Sequence, residues 1–109
     1  MEFGQLMKEI KTLSFIERRK DAEIFFEAVN LTAELSALTE RLEKFFGAAV
    51  WPSTNALSER IKNATAELGG VMPGQTLYFH DEAGEAIFSM LWPWRDGRNV
   101  TLKIVRKKG

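Results

Sequence analysis

The sequence predicts an α+β fold: N-terminal helices, one of them long, followed by a three-stranded antiparallel meander packed against helices. Three observations lead there. Apolar residues recur at helical spacing over residues 1–70. Over residues 75–107 they alternate with polar ones instead, the period of a half-buried strand. Glycine-bearing turns separate the alternating segments, while no Gly or Pro interrupts residues 15–46.

The elements follow in chain order. Phe3, Leu6, Met7, Ile10 and Leu13 are spaced as one face of a short helix over residues 2–12. Ser14 and Glu17 then match a capping box, in which a hydroxyl and a carboxylate satisfy each other's backbone amides. That predicts a second helix from about residue 15 to 46, closed by Gly47, with a bend near residue 30 as the alternative. Unbent, about thirty residues would reach nearly 50 Å, against a radius of gyration of about 13 Å for a compact chain of this length. Ile24, Ala28, Leu31, Leu35, Leu38, Leu42 and Phe45 form a heptad seam along it. Its flanks, Phe25, Thr32, Thr39 and Phe46 against Glu27, Glu34 and Arg41, do not suit a parallel zipper. The length and the seam together predict a homodimer burying Leu31, Leu35, Leu38 and Leu42. The turn from Ile24 to Val29 is apolar nearly all round and is placed at the centre of the core.

Pro52 and the capping-type residues Ser53, Thr54 and Asn55 precede a third helix, residues 56–68, which Gly69 and Gly70 end. Leu77 and Phe79 then open a first strand. A loop from Asp81 to Gly84 leads to a strand from Glu85 to about Trp92. Arg95-Asp96-Gly97-Arg98 turns the chain into a last strand carrying Val100, Leu102 and Ile104.

The chain has 109 residues, the size of one domain, and nothing divides it. At that length roughly 65% of the unfolded surface is buried. Apolar residues at 45% and charged residues at 28% are ordinary for a globular protein. With no cysteine, disulfides, thiolate metal sites and a cysteine nucleophile are excluded. No run of apolar residues is long enough to span a bilayer. The early charges Glu2, Lys8, Glu9 and Lys11 do not suit a secretory signal, so a cytoplasmic location is expected.

The zero net charge hides a division. From Arg95 onward there are six basic residues and one acid, while the preceding part carries nine basic residues and fourteen acids. The basic end makes Trp94, Arg95, Arg98, Arg106, Lys107 and Lys108 the candidate partner patch. His80, Asp81, Glu82 and Glu85 are the one cluster with acid–base or ligand chemistry, but they fall in a turn where such residues are common. One histidine and no cysteine leave few nucleophile–base pairs, and no phosphate-loop, dinucleotide or metalloprotease pattern occurs. The expected function is therefore a protein-interaction module that is itself homodimeric. It needs no cofactor, metal or catalytic residue, and binds itself and another protein. The alternatives are a nucleic-acid-binding module using the basic C-terminal hairpin, and an enzyme or small-ligand binder near His80.

Overall fold

Where one long helix is expected over residues 15–46, the chain forms two strands and a shorter helix. The computed structural model describes residues 1–53 and 56–108. Helix α1 is Phe3–Lys11, strand β1 is Glu17–Asp21 and strand β2 is Phe25–Leu31. A single 3₁₀ turn, Thr32–Glu34, leads into helix α2, Leu35–Phe46. Helix α3 is Glu59–Thr65, and strands β3, β4 and β5 are Thr76–Glu82, Glu85–Pro93 and Asn99–Lys108. The sheet thus has five strands rather than three, in the order β1-β2-β5-β4-β3, with every neighbouring pair antiparallel.

The correction has a physical cause. A run that is apolar all round, such as Ile24 to Val29, fits a buried helix turn. It fits equally a strand buried on both faces. Phe25, Phe26 and Val29 favour the strand, and the ladder to β5 decides it, pairing every residue from Phe25 to Leu31 with Val105 to Asn99. That partner lies some seventy residues along the chain, where local periodicity cannot register it. Glu17, expected in a capping box, lies instead on β1 opposite Val29.

Helices pack on both faces of the sheet. On the first, α1 and α2 cover Phe26, Ala28, Tyr78, Leu91, Val100, Leu102 and Ile104. On the second, Ala64 and Ile61 of α3 pack with Leu77, Phe88 and Met90, and Trp51 joins them. Between α2 and α3 the chain runs along the outer edge of β3, where Trp51 pairs with Leu77. The expected seam divides accordingly. Leu38 and Leu42 are fully buried beneath α1 and the sheet, and Leu35 packs against the same cluster. Leu31 ends β2 with 41% of its surface exposed. The long helix that motivated the dimer is not formed, and Leu38 and Leu42 of its stripe are buried inside one chain while Ile24 and Leu31 stay exposed.

Local chemistry sets the remaining boundaries. Gly47 ends α2 with a φ of 78° that a side chain would strain. The α3 cap is Ser58, whose hydroxyl accepts from the Ile61 amide. Thr54 and Asn55, expected to cap this helix, lie outside the described residues. The β3–β4 connection is tighter than the expected loop, just Ala83 and Gly84, both with positive φ as a primed hairpin turn requires. Pro93 closes β4 opposite Val100, beyond the last residue that β3 pairs, so only one neighbouring strand meets it.

Tyr78, the chain's one tyrosine, is buried on the first face, and its hydroxyl donates to Glu43 Oε2 at 3.1 Å. Burial first, and then the Glu43 carboxylate, push its pKa up to about 12. A raised pKa stabilises the fold fully below the unfolded value of about 10 and loses that contribution as pH climbs toward the folded value. Ultraviolet titration should show no phenolate forming near pH 10. The melting temperature should fall between pH 10 and 12, and Tyr78→Phe should flatten that fall. A spectral midpoint near 10 would place the hydroxyl in solvent.

Candidate functional site

The residues with binding character meet on the second face, at the end of the sheet formed by Leu31, Trp92 and Trp94. Trp92 lies opposite Thr101 in the β4–β5 ladder, and Val29 lies opposite Thr101 across β2–β5. Leu31 is opposite Asn99, whose carbonyl accepts from the Trp94 amide at 2.9 Å. The Thr32 amide donates to the Arg98 carbonyl at 2.8 Å. Leu31, Trp94 and the turn that follows β4 are thus joined by backbone hydrogen bonds into one surface.

Trp94 is fixed in place. Its Nε1–H donates to Thr101 Oγ1 at 2.8 Å, and the Arg19 guanidinium lies 5.7 Å from its ring centroid. It remains 38% exposed. Trp92 is half-buried against the α3 cluster, with the Lys103 ammonium 3.6 Å from its ring centroid. Its own Nε1 is buried without an acceptor among the described residues.

A charge network holds both indoles. Glu27 lies opposite Lys103 in the ladder, with carboxylate and ammonium 3.7 Å apart, and also meets Arg19 at 3.5 Å. Arg19 is further bound to Glu17 at 3.2 Å. The Glu17 hydrogen bond, more than any other contact, raises the Arg19 pKa above its already high value, so the cation over Trp94 is permanent. Arg19 reaches this position because β1 carries a bulge: Arg18 pairs with Ala28 and Lys20 with Glu27, leaving Arg19 as the extra residue. Bulges re-aim side chains in this way.

The turn adds two cations. Asp96 accepts from the amides of Arg98 and Asn99 and from Asn99 Nδ2, at 2.8, 3.1 and 2.8 Å. These bonds, that from the Arg98 amide first, lower its pKa. With Asp96 so engaged and Gly97 supplying a φ of 69°, the turn is ordered. The exposed guanidinium groups of Arg95 and Arg98 make no hydrogen bond or ion pair among the described residues.

The expected partner patch therefore separates. Trp94, Arg95 and Arg98 share the segment after β4, whose backbone is bonded to the end of β2 beside Leu31 of the expected seam. The three C-terminal cations lie elsewhere. Arg106 makes a two-pronged bond to Glu85, 2.9 Å on each arm, and lies over Phe3 of α1. Lys107 reaches the opposite face, donating to the Ala64 carbonyl at 3.2 Å. Lys108 lies beside it in a surface groove of about 340 Å³ with Arg60 and Glu67.

The cluster around His80 separates too. Asp81 is drawn to Arg60 of α3 at 2.8 Å, which holds its carboxyl below the usual range, and Glu85 is held low by Arg106. His80 packs edge-on against Phe45, with Glu82 3.9 Å away. Among the described residues, no three His, Asp or Glu side chains converge as a metal site would need, and no helix is long and apolar enough to cross a membrane.

From the sequence, Arg19 belongs to the charged run Glu17 to Asp21, read as an exposed salt-bridged helix turn with a docking contact as the alternative, while Glu27, Lys103 and Thr101 receive no place in the patch. A signal existed for two of them, because Thr101 and Lys103 stand out of phase with Val100, Leu102 and Ile104 and so share a face with Trp92 once the strands pair. Compared with known family models, curated proteins and solved structures, this chain matches none.

Proposed function

We propose that this chain is a protein-interaction module without catalytic activity, and that it docks another protein through Leu31, Trp94, Arg95 and Arg98. One observation carries the reading: Trp94 is exposed, yet its N–H is bonded to Thr101 and the Arg19 guanidinium lies by its ring. A large aromatic ring held in its binding geometry loses little freedom on association. Tryptophan and arginine are also the residues that most often dominate interface energies. The exposed leucine beside them supplies apolar area without a polar group to desolvate. The groups gathered here, two indoles, paired charges and a threonine hydroxyl already accepting a hydrogen bond, suit grip rather than bond cleavage. A different protein is favoured as the partner because Leu38 and Leu42, the middle of the seam expected to join two copies, are buried within the chain.

Placing a photo-crosslinking benzoylphenylalanine at residue 31 in the native host tests this. One discrete heterologous adduct is expected, absent when the probe stands at exposed Met72 and lost on Trp94→Ala. The Trp94→Ala chain itself should stay folded and lose about 1 kcal/mol, a typical cost for a partly exposed side chain. An adduct of twice the chain's own mass, with a matching dimer in sedimentation, would make this surface a self-interface and sink the reading.

A further inference from the structure

We infer that the segment docking on this surface is acidic, with carboxylates flanking an apolar or aromatic residue. The inference rests on the interaction surface proposed above and specifies its partner. The argument is one of charge complementarity. Around Trp94 nearly every charge has a counter-charge within the chain. Glu17 and Glu27 face Arg19, Glu27 also faces Lys103, and Asp96 accepts three N–H donors. At the rim Arg95 follows Trp94 directly; Arg98, whose charge also acts on Asp96, is bonded through its carbonyl to the residue after β2, and neither guanidinium makes a hydrogen bond or ion pair among the described residues. Guanidinium groups present several donors in a fixed fork that matches a carboxylate two-pronged. They sit on a turn ordered by Asp96, so less freedom is lost when they are engaged. Leu31, the last residue of β2, and Trp94, just before the rim, are both partly exposed and offer apolar surface to a partner side chain.

The same surface suits a nucleic acid poorly. A polyphosphate track needs a run of cations, and stacking needs an open aromatic face. Here Arg19 already lies over the Trp94 ring, and Glu17, Glu27 and Asp96 carry negative charge on the same surface. The C-terminal cations Arg106 and Lys107, which might have extended a track, are tied to Glu85 and Ala64 on other parts of the molecule.

Three synthetic peptides with one Leu-Phe-Ser-Leu core test the inference, flanked on both sides by glutamates, by serines or by lysines. Each is titrated at low ionic strength into the ¹⁵N-labelled protein while the indole N–H signals are followed, that of Trp94 being assigned by its loss in Trp94→Ala. The glutamate peptide should shift the Trp94 signal and the Leu31 resonances, and the lysine peptide should not. Replacing Arg95 and Arg98 together by Gln should weaken glutamate-peptide binding roughly tenfold, as two exposed charge pairs would, with the circular dichroism spectrum unchanged. Trp94→Ala should remove binding altogether. Equal binding of all three peptides at Trp94 would leave the docking surface standing and overturn the acidic partner. If no peptide binds while the residue-31 probe still captures a heterologous protein, the inference again falls alone. If the probe also captures nothing, both fall. A single-stranded oligonucleotide that shifts Trp94 where the glutamate peptide does not would overturn the inference in favour of a nucleic-acid partner.

Discussion

Leu38→Glu should give a chain that does not fold. Leu38 is fully buried among Leu6, Ile10, Leu42 and the first face of the sheet. Losing the leucine's packing alone costs about 2–5 kcal/mol. An ionised carboxylate there, with no cation in the apolar cluster around it, adds several more. Together these take up most or all of the roughly 5–15 kcal/mol by which a domain is stable. Far-ultraviolet circular dichroism and the dispersion of amide signals would report a disordered chain. Leu38→Ala should remain folded under mild conditions, with its denaturation midpoint sharply lowered. A Leu38→Glu chain that folds and merely changes its association state would mean that α2 presents this residue outward, and would overturn the packing described above.

The second large effect separates a strand from a helix at the same residues. Phe26→Ala should cost about 3–5 kcal/mol, the usual range for truncating a buried aromatic. Phe26 is fully buried on the first face and meets Phe15 edge-on at 5.7 Å. Ile24→Ala should cost well under that, because Ile24 lies in the β1–β2 turn with 62% of its surface exposed. A heptad seam demands the reverse, with Ile24 in the interface. Urea melts of the two variants, compared at constant slope, decide between the two. A larger loss for Ile24 would restore the long helix.

The same two residues show what the sequence could and could not reveal. The helical spacing of Phe3 to Ile10 and of Leu35 to Phe45 reports faithfully, because each helix buries one stripe against one sheet face. The alternation at Leu77 to Phe79 and at Val100 to Ile104 reports strands for a similar reason. Between Ile24 and Val29 the pattern carries no period, since Phe26 and Ala28 are buried on one face while Phe25 and Val29 pack on the other. A local rule then read Ile24, Ala28 and Leu31 as continuing the seam of Leu35 to Phe45, and the apparent capping box at Ser14 agreed with a helix. The candidate site was half legible. Trp94, Arg95 and Arg98 are neighbours in sequence and remain so in space. Arg19, Glu27 and Lys103 come from three strands and meet only through the β2–β5 register and the β1 bulge. The basic tail misled because alternate residues of a strand point to opposite faces, so Arg106 and Lys107 cannot act together.

β1 has a consequence for how copies of this chain behave when crowded. Its sequence is Glu-Arg-Arg-Lys-Asp, and all five residues are exposed at one border of the sheet. If a second copy added its own β1 antiparallel about Arg19, Glu17 would meet Asp21 and Arg18 would meet Lys20. Every facing pair would carry like charges, and Arg19 would face itself. Like charges directly opposite one another disfavour strand pairing, and a charged border strand is a known guard against edge-to-edge growth. Phe25 to Leu31, which carries two phenylalanines and a valine, lies immediately inside that border. The charged strand therefore acts as a gatekeeper at this border, where growth into an ordered aggregate would first require β1 to peel away.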